Sequence, residues 1–443
     1  MKEMKMPEKG ANSKDILDSI ETFKENDLNW RGGRMFSLIY NPGAEVIEFG
    51  REAYNAYFME NGLSPFAFPS LRKMETEVIA MTAGMLNGDG RVVGSLTSGG
   101  SESIVMSVKT CRDRARAKKP GITKPNMVLP YTAHPAWVKS AHYFGLETRH
   151  VAAGEDFRAD VGAMSDAADE NTIMMIGSAM TYPHGVVDPI EELGELCASR
   201  DIWLHVDSCL GGFILPFVEK LGYEVPVFDF RVPGVTSMSA DLHKYGFCPK
   251  GCSSVLYRNA DYRQYQYFAF ADFPGGVYGT STVSGARPGG VIAAAWSVMH
   301  FLGVEGYLKL AGKSMATAEK IQKAVNDDIP GLYVLGRPHA TVFAIGSDTL
   351  NVYALSDAMG ERNWLLEKQH LPACLHVTVS PYHENVVDEF IADLAEAAKE
   401  IENVDASKLS EEAAMYGMMA SMPDRSVAGQ FAVQYLNDLY SLK

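Results

Sequence analysis

The sequence is poor in cysteine and in positive charge. Its 443 residues include only six cysteines, too few for a disulfide scaffold, and no second Cys/His pair follows Cys248 and Cys252 at zinc-site spacing. The 40 Lys and Arg residues are outnumbered by 55 Asp and Glu, giving a formal net charge of −15. That balance argues against a nucleic-acid or anionic-membrane binder. We therefore expect no bound metal and no nucleic-acid partner.

Long apolar runs are also missing from the sequence pattern. No stretch approaches the roughly 20 consecutive apolar residues that a membrane span needs. The N-terminus, MKEMKMPEKGANSKD, is polar and has none of the apolar core of a signal peptide. We expect a soluble cytoplasmic protein without stable membrane insertion.

From Arg91 onward, short apolar runs alternate with helical patterns. The runs of strand length are VVGSL, MVLPY, ETRHVAA, TIMMIGSA, IWLHVD and VTSMSA. Such alternation is typical of βαβ units and predicts a mostly parallel sheet covered by helices on both faces.

The pattern changes after about Gly312. A helix, SMATAEKIQKAVNDD, precedes the short strands LYVLGR, TVFAIGS and HVTVS and a final helix. We predict an N-terminal arm at 1–60, a large domain at 61–311 and a smaller C-terminal α+β domain at 312–443, in line with the two to three domains typical of this length.

Four polar segments follow predicted strands, where parallel sheets place functional residues. Gly100 and Ser101 open a helix whose free amides and dipole suit a phosphate. His134, after MVLPY, can stack on a planar ring or carry protons. Asp207 ends a buried strand and needs a partner, and Lys244 lies in the turn SADLHKYG.

Each segment alone has an ordinary structural explanation, but together they match the needs of pyridoxal phosphate. That cofactor needs a phosphate cup, a ring-stacking partner, a carboxylate for the pyridine nitrogen and a lysine for a Schiff base. The sequence supplies these in order within one α/β region. We therefore predict pyridoxal phosphate as the cofactor.

At these residues the sequence resembles fold-type I pyridoxal-phosphate enzymes of the group II decarboxylase superfamily, and within it the sphingosine-1-phosphate lyase family. All but the first thirty or so residues take part. The matching stretches are FPSLRKMETE, TSGGSESI, AHPAWVKSAHYFG, YPHGVVDPI, HVDSCLGGF, FDFRVPGVTSMSADLHKYGFCPKG, SGARPGG and the tail MYGMMASMPDRSVAGQF. The resemblance implies an α/β fold with a mostly parallel seven-stranded sheet, a small C-terminal α+β domain and an obligate homodimer with shared active sites.

The resemblance also implies roles for individual residues. Lys244 would form the Schiff base, Asp207 would pair with the pyridine nitrogen, and Thr280 would come from the partner subunit. The implied cofactor-binding set is Gly100, Ser101, His134, Asp207, Ser239, His243, Lys244 and Thr280. The implied catalytic set is Lys244, Lys250, Tyr40 and His134.

Departures from the family pattern lie on the substrate side. Ser64 takes the place of a histidine that binds the substrate phosphate in the lyases, and a serine keeps a hydroxyl donor without the possible positive charge. Ser208 replaces the usual alanine after the ring-pairing aspartate, which would place a hydroxyl under the ring. Tyr182 is expected to face the substrate.

Three functions remain open at this point. The first is a lyase that cleaves the C2–C3 bond of a phosphorylated long-chain amino alcohol by retro-aldol chemistry. The second is an amino-acid decarboxylase, favoured by the histidine missing at Ser64, with Arg31 and Arg34 as candidates near a substrate carboxylate. The third is a non-catalytic cofactor-binding protein, against which the complete set of cofactor residues argues.

Overall fold

The computed structural model describes residues 4–403, 409–421 and 426–441, so that part of the tail motif, 422–425, lies outside the described residues. A seven-stranded sheet has the order β1-β7-β6-β5-β4-β2-β3. Only β7 runs against the other strands, pairing antiparallel with both β1 and β6. The strands are β1 (Val93–Thr97), β2 (Asn126–Pro130), β3 (Glu147–Val151), β4 (Thr172–Ser178), β5 (Trp203–Asp207), β6 (Val235–Ala240) and β7 (Ser253–Tyr257).

The strands in the middle of this sheet are buried along their whole length. Every residue of β2, β4, β5, β6 and β7 is buried, because helices cover both faces of the sheet. The six strands predicted between residues 92 and 240 are all present, so the mostly parallel sheet is confirmed.

Fourteen α-helices are found in the described residues. The first seven are α1 (Ser13–Phe23), α2 (Ala44–Asn55), α3 (Pro69–Met85), α4 (Gly100–Lys118), α5 (Ala136–Phe144), α6 (Val161–Ala167) and α7 (Ile190–Ser199). The others are α8 (Leu215–Lys220), α9 (Ala260–Arg263), α10 (Gly289–Lys323), α11 (Val352–Glu361), α12 (Val387–Glu400), α13 (Glu411–Ser421) and α14 (Ser426–Leu439).

Two smaller sheets complete the fold. β8 (Phe268–Phe270) and β9 (Tyr278–Thr280) form an antiparallel hairpin. The C-terminal sheet is antiparallel with the order β10-β11-β13-β12. Its strands are β10 (Tyr333–Val334), β11 (Val342–Gly346), β12 (Glu367–His370) and β13 (Ala373–Thr378).

Helix α10 links the two main apolar cores. Met315 belongs to the core under the large sheet, whereas Ala318, about one turn later, belongs to the core of the C-terminal sheet. Phe36 of the N-terminal segment packs into that second core. The helix predicted to begin at Ser314 is therefore the end of a longer one, which is kinked at Gly303. The predicted domain boundaries stay predictions.

One helical stretch, Gly289–Asp328, is long and apolar enough to cross a membrane by length and composition alone, contrary to the expectation from the sequence. A single such helix is weak evidence, since core helices pass the same test. Its residues Ala293, Ala294 and Ala295 are buried in the fold. The cytoplasmic location stays a prediction.

Candidate active site

A cavity of about 450 Å³ lies beyond the carboxyl ends of the parallel strands, within the usual size range of small-molecule sites. The sequence predicted ten site residues, and eight of them line it: Tyr40, Gly100, Ser101, His134, Asp207, His243, Lys244 and Lys250. Residues separated by up to about two hundred positions thus meet in one place.

The N-terminus of α4 forms one wall of the cavity. A Cβ on Gly100 would lie 2.7 Å from Cys209 Sγ and 2.8 Å from Asp241 Oδ2, so only glycine lets the backbone approach this closely. The side chain of Glu102 accepts from Ser98 N at 2.6 Å and holds the turn before the helix. The first amides of the helix and its dipole suit a phosphate group.

Asp207 is fixed at the end of β5 by three donors. Its carboxylate accepts hydrogen bonds from Trp137 Nε1 at 3.1 Å, Cys209 N at 3.1 Å and Ser239 Oγ at 3.3 Å. These donors fix the carboxylate in the lining of the cavity. Sequence reasoning missed Trp137, although its place one turn after His134 on α5 was a usable signal.

His134 is held as a neutral ring. Its Nδ1 accepts from Ala136 N at 3.1 Å, which leaves the ring proton on Nε2. Burial lowers the pKa of His134, and the charge of Asp207 opposes that shift only in part. A neutral imidazole on the cavity wall suits stacking on a planar cofactor.

Lys244 forms a buried ion pair that the sequence interpretation did not include. Its Nζ lies 3.0 Å from Asp241 Oδ2, and His243 Nε2 lies 3.4 Å from the same oxygen. Burial is the largest single influence and opposes the charge on Asp241, but the positive charge of Lys244 and the neighbouring polar groups, His243 first among them, together outweigh burial and lower the pKa of this carboxyl. Asp241 precedes the lysine by three residues in SADLHKYG, and that proximity was the available signal.

Lys250 and Tyr40 lie beside each other in the lining of the cavity. Lys250 Nζ donates to Leu38 O at 2.6 Å and to His243 O at 3.3 Å, and it lies 5.2 Å from the centre of the Tyr40 ring. Burial of the ammonium, with the charge of Lys244, lowers the pKa of Lys250 to about 8. Burial raises the pKa of Tyr40 to about 12. The pair thus combines a lysine that deprotonates readily with a phenol that stays protonated.

Two residues predicted to bind the cofactor lie outside this cavity. Ser239 is fully buried behind Asp207 and donates to it. Thr280 lies on β9 and lines a second cavity of about 680 Å³, together with Ser64. Their roles toward the cofactor stay predictions.

Three further expectations concern the substrate side. Ser208 does not line the Lys244 cavity, so its expected place under the ring is wrong; the next residue, Cys209, lines the cavity instead. Ser208 is fully buried, and its backbone amide donates to Ser239 O of β6 at 3.0 Å. Tyr182 does line the cavity. Arg31 and Arg34 do not: they stack on Trp30 and Trp364, and Arg34 also pairs with Glu389 at 2.6 Å.

The residues of the cavity fit pyridoxal phosphate. The close approach at Gly100 leaves backbone amides for a phosphate, and the fixed carboxylate of Asp207 suits a protonated pyridine nitrogen. Lys244 lines the cavity and would supply the amine for the cofactor aldehyde, and His134 would offer a neutral ring. The fold and this site together define a pyridoxal-phosphate-dependent enzyme.

Comparisons with known proteins agree with that class. Residues 1–342 match the family model described as the pyridoxal-dependent decarboxylase conserved domain. A sphingosine-1-phosphate lyase from Oryza sativa subsp. japonica is 42% identical over 433 residues, covering 96% of this chain and 80% of that protein. A probable sphingosine-1-phosphate lyase from Legionella pneumophila subsp. pneumophila is 32% identical, covering 98% of this chain and 76% of that protein.

Solved structures extend the agreement. The sphingosine-1-phosphate lyase of Burkholderia pseudomallei K96243 superposes with a TM-score of 0.91 at 37% identity, covering 99% of this chain and 98% of that one. A glutamate decarboxylase from Lactobacillus brevis shares the fold, with a TM-score of 0.80 at 19% identity, covering 91% of this chain and 96% of that one. The chain belongs to the sphingosine-1-phosphate lyase family and is a pyridoxal-phosphate-dependent lyase. The family, fold class and cofactor predicted from the sequence are confirmed.

Proposed function

We propose that this enzyme cleaves the C2–C3 bond of a phosphorylated long-chain amino alcohol, yielding a fatty aldehyde and phosphoethanolamine. The observation that carries the proposal is the pairing of Lys250 and Tyr40 in the cavity that Lys244 also lines. Retro-aldol cleavage needs a group that removes the proton of the C3 hydroxyl, and the lowered pKa of Lys250 suits that task. The near-full-length likeness to lyases supports the same chemistry.

The bound cofactor supplies an electron sink for the carbon that keeps the bonding electrons. The protein residues then handle protons and orientation. Lys250 Nζ takes the proton from the C3 hydroxyl as the C2–C3 bond breaks and the C3–O bond becomes a carbonyl. Tyr40 Oη, protonated at neutral pH, donates a hydrogen bond to substrate oxygen. His134 and Asp207 would hold the cofactor ring in place. The orientation of that ring relative to the substrate would then decide which substrate bond breaks.

The two arginines that were candidates for binding a substrate carboxylate do not support a decarboxylase. Arg31 and Arg34 lie on tryptophan rings outside the Lys244 cavity. The two lysines that do line the cavity are Lys244 and Lys250, and both already have parts in the proposed lyase chemistry.

We also propose that the active enzyme is a homodimer in which Thr280 serves the partner's site. Thr280 and Ser64 lie together in the second cavity, although both were assigned to cofactor or substrate binding. The segments around them expose large apolar side chains, such as Phe66 at 89% and Val277 at 81% exposure. Apolar surface of this kind marks a protein interface. We call this surface the interface patch: Phe58, Met59, Phe66, Phe273, Val277 and Val283.

A product assay tests the lyase proposal directly. Cofactor-loaded enzyme is given sphingosine-1-phosphate, and long-chain aldehyde and phosphoethanolamine are measured. We expect both products in equal amounts. Release of CO₂ from amino acids without aldehyde formation would instead establish a decarboxylase.

A further inference from the structure

Tyr182 connects the active-site cavity to the C-terminal sheet. It follows β4 and lines the same cavity as Lys244. Its hydroxyl donates a hydrogen bond to Glu367 on β12. Its ring stacks on His376 of β13, with centroids 4.1 Å apart and planes inclined by 18°. Glu367 and His376 are directly paired across the two strands. A single cross-strand pair therefore contacts both the hydroxyl and the ring of Tyr182.

The ring contact fixes where the hydroxyl points. His376 is fully buried, and its Nε2 is 2.7 Å from the hydroxyl of Thr378, which also lines the cavity. Burial lowers the pKa of His376 to about 3, so this ring is neutral. Burial and the charge of Glu367 raise the pKa of Tyr182, so its proton stays in the bond to the carboxylate.

Glu367 has no cationic partner in the ranges that the structure describes. The adjacent Lys368 is paired with Glu412 at 2.9 Å and with Asp357 at 3.7 Å. The negative charge of Glu367 reaches the cavity, since it also contributes to the raised pKa of Tyr40. A tyrosine that donates its only proton to a carboxylate can offer only lone pairs to a ligand.

We propose that Tyr182 and Glu367 form a selectivity pair that accepts donor groups of an amino alcohol and rejects an α-carboxylate. A hydroxyl or ammonium group meets a hydrogen-bond acceptor at Tyr182 Oη. A carboxylate there meets lone pairs backed by a like charge, which opposes binding of amino acids. The proposal rests on the proposed function and deepens it, because it explains how this site excludes decarboxylase substrates.

The test uses two ligands that differ only in the carboxylate. Phosphoethanolamine and L-phosphoserine are titrated separately into cofactor-loaded enzyme, and binding is measured by calorimetry. We expect the unmodified enzyme to favour phosphoethanolamine. Glu367→Gln keeps an acceptor for the tyrosine proton and removes the charge, so it should narrow the affinity ratio by about tenfold or more. Tyr182→Phe removes the accepting oxygen but keeps the charge of Glu367, so it should also narrow the ratio, by less than Glu367→Gln does.

A matched control is Glu412→Gln, which removes the same charge from exposed helix α13. It should leave the ratio unchanged. Equal affinities in the unmodified enzyme, or an unchanged ratio in Glu367→Gln, would overturn the selectivity pair. Because binding is measured without turnover, either result is separate from the aldehyde assay, which alone decides the lyase proposal.

Discussion

At the scale of single residues, the surroundings of Lys250 set its chemistry. An ordinary lysine has a pKa near 10.4, but burial and the charge of Lys244 lower the pKa of Lys250 to about 8. One pH unit below that pKa, roughly a tenth of the Lys250 side chains are neutral. This amine can take a proton from a substrate hydroxyl at physiological pH, whereas a lysine with an ordinary pKa almost never could.

Lys250→Met therefore gives the first prediction. Because the neutral amine is the active form, turnover should rise with pH up to about 8 and then level off. The variant should lose this limb of the profile, and its kcat should fall by about 10²- to 10⁴-fold. Cofactor content, measured from the absorbance of the bound chromophore, should stay the same. Lys118→Met, at the exposed end of α4, is the control. An unchanged pH profile in Lys250→Met would remove this residue from proton transfer.

The sequence predicted those site residues that belong to a local motif. Lys244, Asp207 and His134 each follow a strand in a recognisable segment, and all three line the cavity. Glu367 could not be predicted in this way, because its relation to Tyr182 depends on how the C-terminal sheet packs against the large one. Ser208 was misplaced because its direction depends on how the chain turns after β5, which the sequence does not reveal.

At the scale of elements, the junction of β1 and α4 is where we expect the cofactor phosphate to bind. The backbone at Gly100 approaches Cys209 and Asp241 so closely that any side chain would collide with them. The backbone can come this close only because Gly100 has no side chain, and its amides are then available to a phosphate. A methyl group at this position should therefore weaken cofactor binding more directly than it affects the catalytic step.

Gly100→Ala gives the second prediction. The new methyl group must displace the ends of Cys209 and Asp241 or shift the helix start, so cofactor affinity should fall by about tenfold or more. The measurement is an absorbance titration of cofactor-free enzyme with pyridoxal phosphate. Gly84→Ala is the matched control, because a Cβ there meets nothing within 4 Å on the exposed side of α3. It should keep full affinity and gain stability, as alanine is the better helix former. Unchanged affinity in Gly100→Ala would place the phosphate elsewhere.

Most strands were predicted from the sequence, including the partly exposed β3, but the fully buried β7 and the polar β12 were not. The apolar runs of β2, β4, β5 and β6 are marked in sequence because both faces of each strand are covered. The strand β12, Glu367–His370, is half-buried and polar, so no periodicity marks it. It forms only because β13 supplies the pairing partner.

At the scale of the whole molecule, a single copy exposes apolar side chains and places two predicted site residues away from Lys244. Helix α1 has no buried residue, and the interface patch leaves large apolar side chains in solvent. Thr280 and Ser64 lie in a cavity separate from Lys244. The resemblance implies that a second copy brings its Thr280 to the other subunit's cofactor.

Complementation between two inactive variants provides the last prediction. Lys244→Ala removes the lysine of one site, and Thr280→Asp places a negative charge where the partner's phosphate would bind. If Thr280 serves the partner, a mixed dimer has both defects in one site and an intact second site. Random pairing makes half of the dimers mixed, so co-expression should restore about a quarter of the wild-type sites.

The control pair for this experiment is Lys244→Ala with Asp207→Asn. Both residues line the same subunit's cavity, so every site in a mixed dimer keeps one defect and no activity should return. Recovery with Thr280→Asp but not with Asp207→Asn would place Thr280 in the partner's site and make the dimer necessary for catalysis. No recovery from dimers that form normally would mean that Thr280 serves its own subunit. Since the hairpin that carries Thr280 does not line the Lys244 cavity, that outcome would require it to move on cofactor binding.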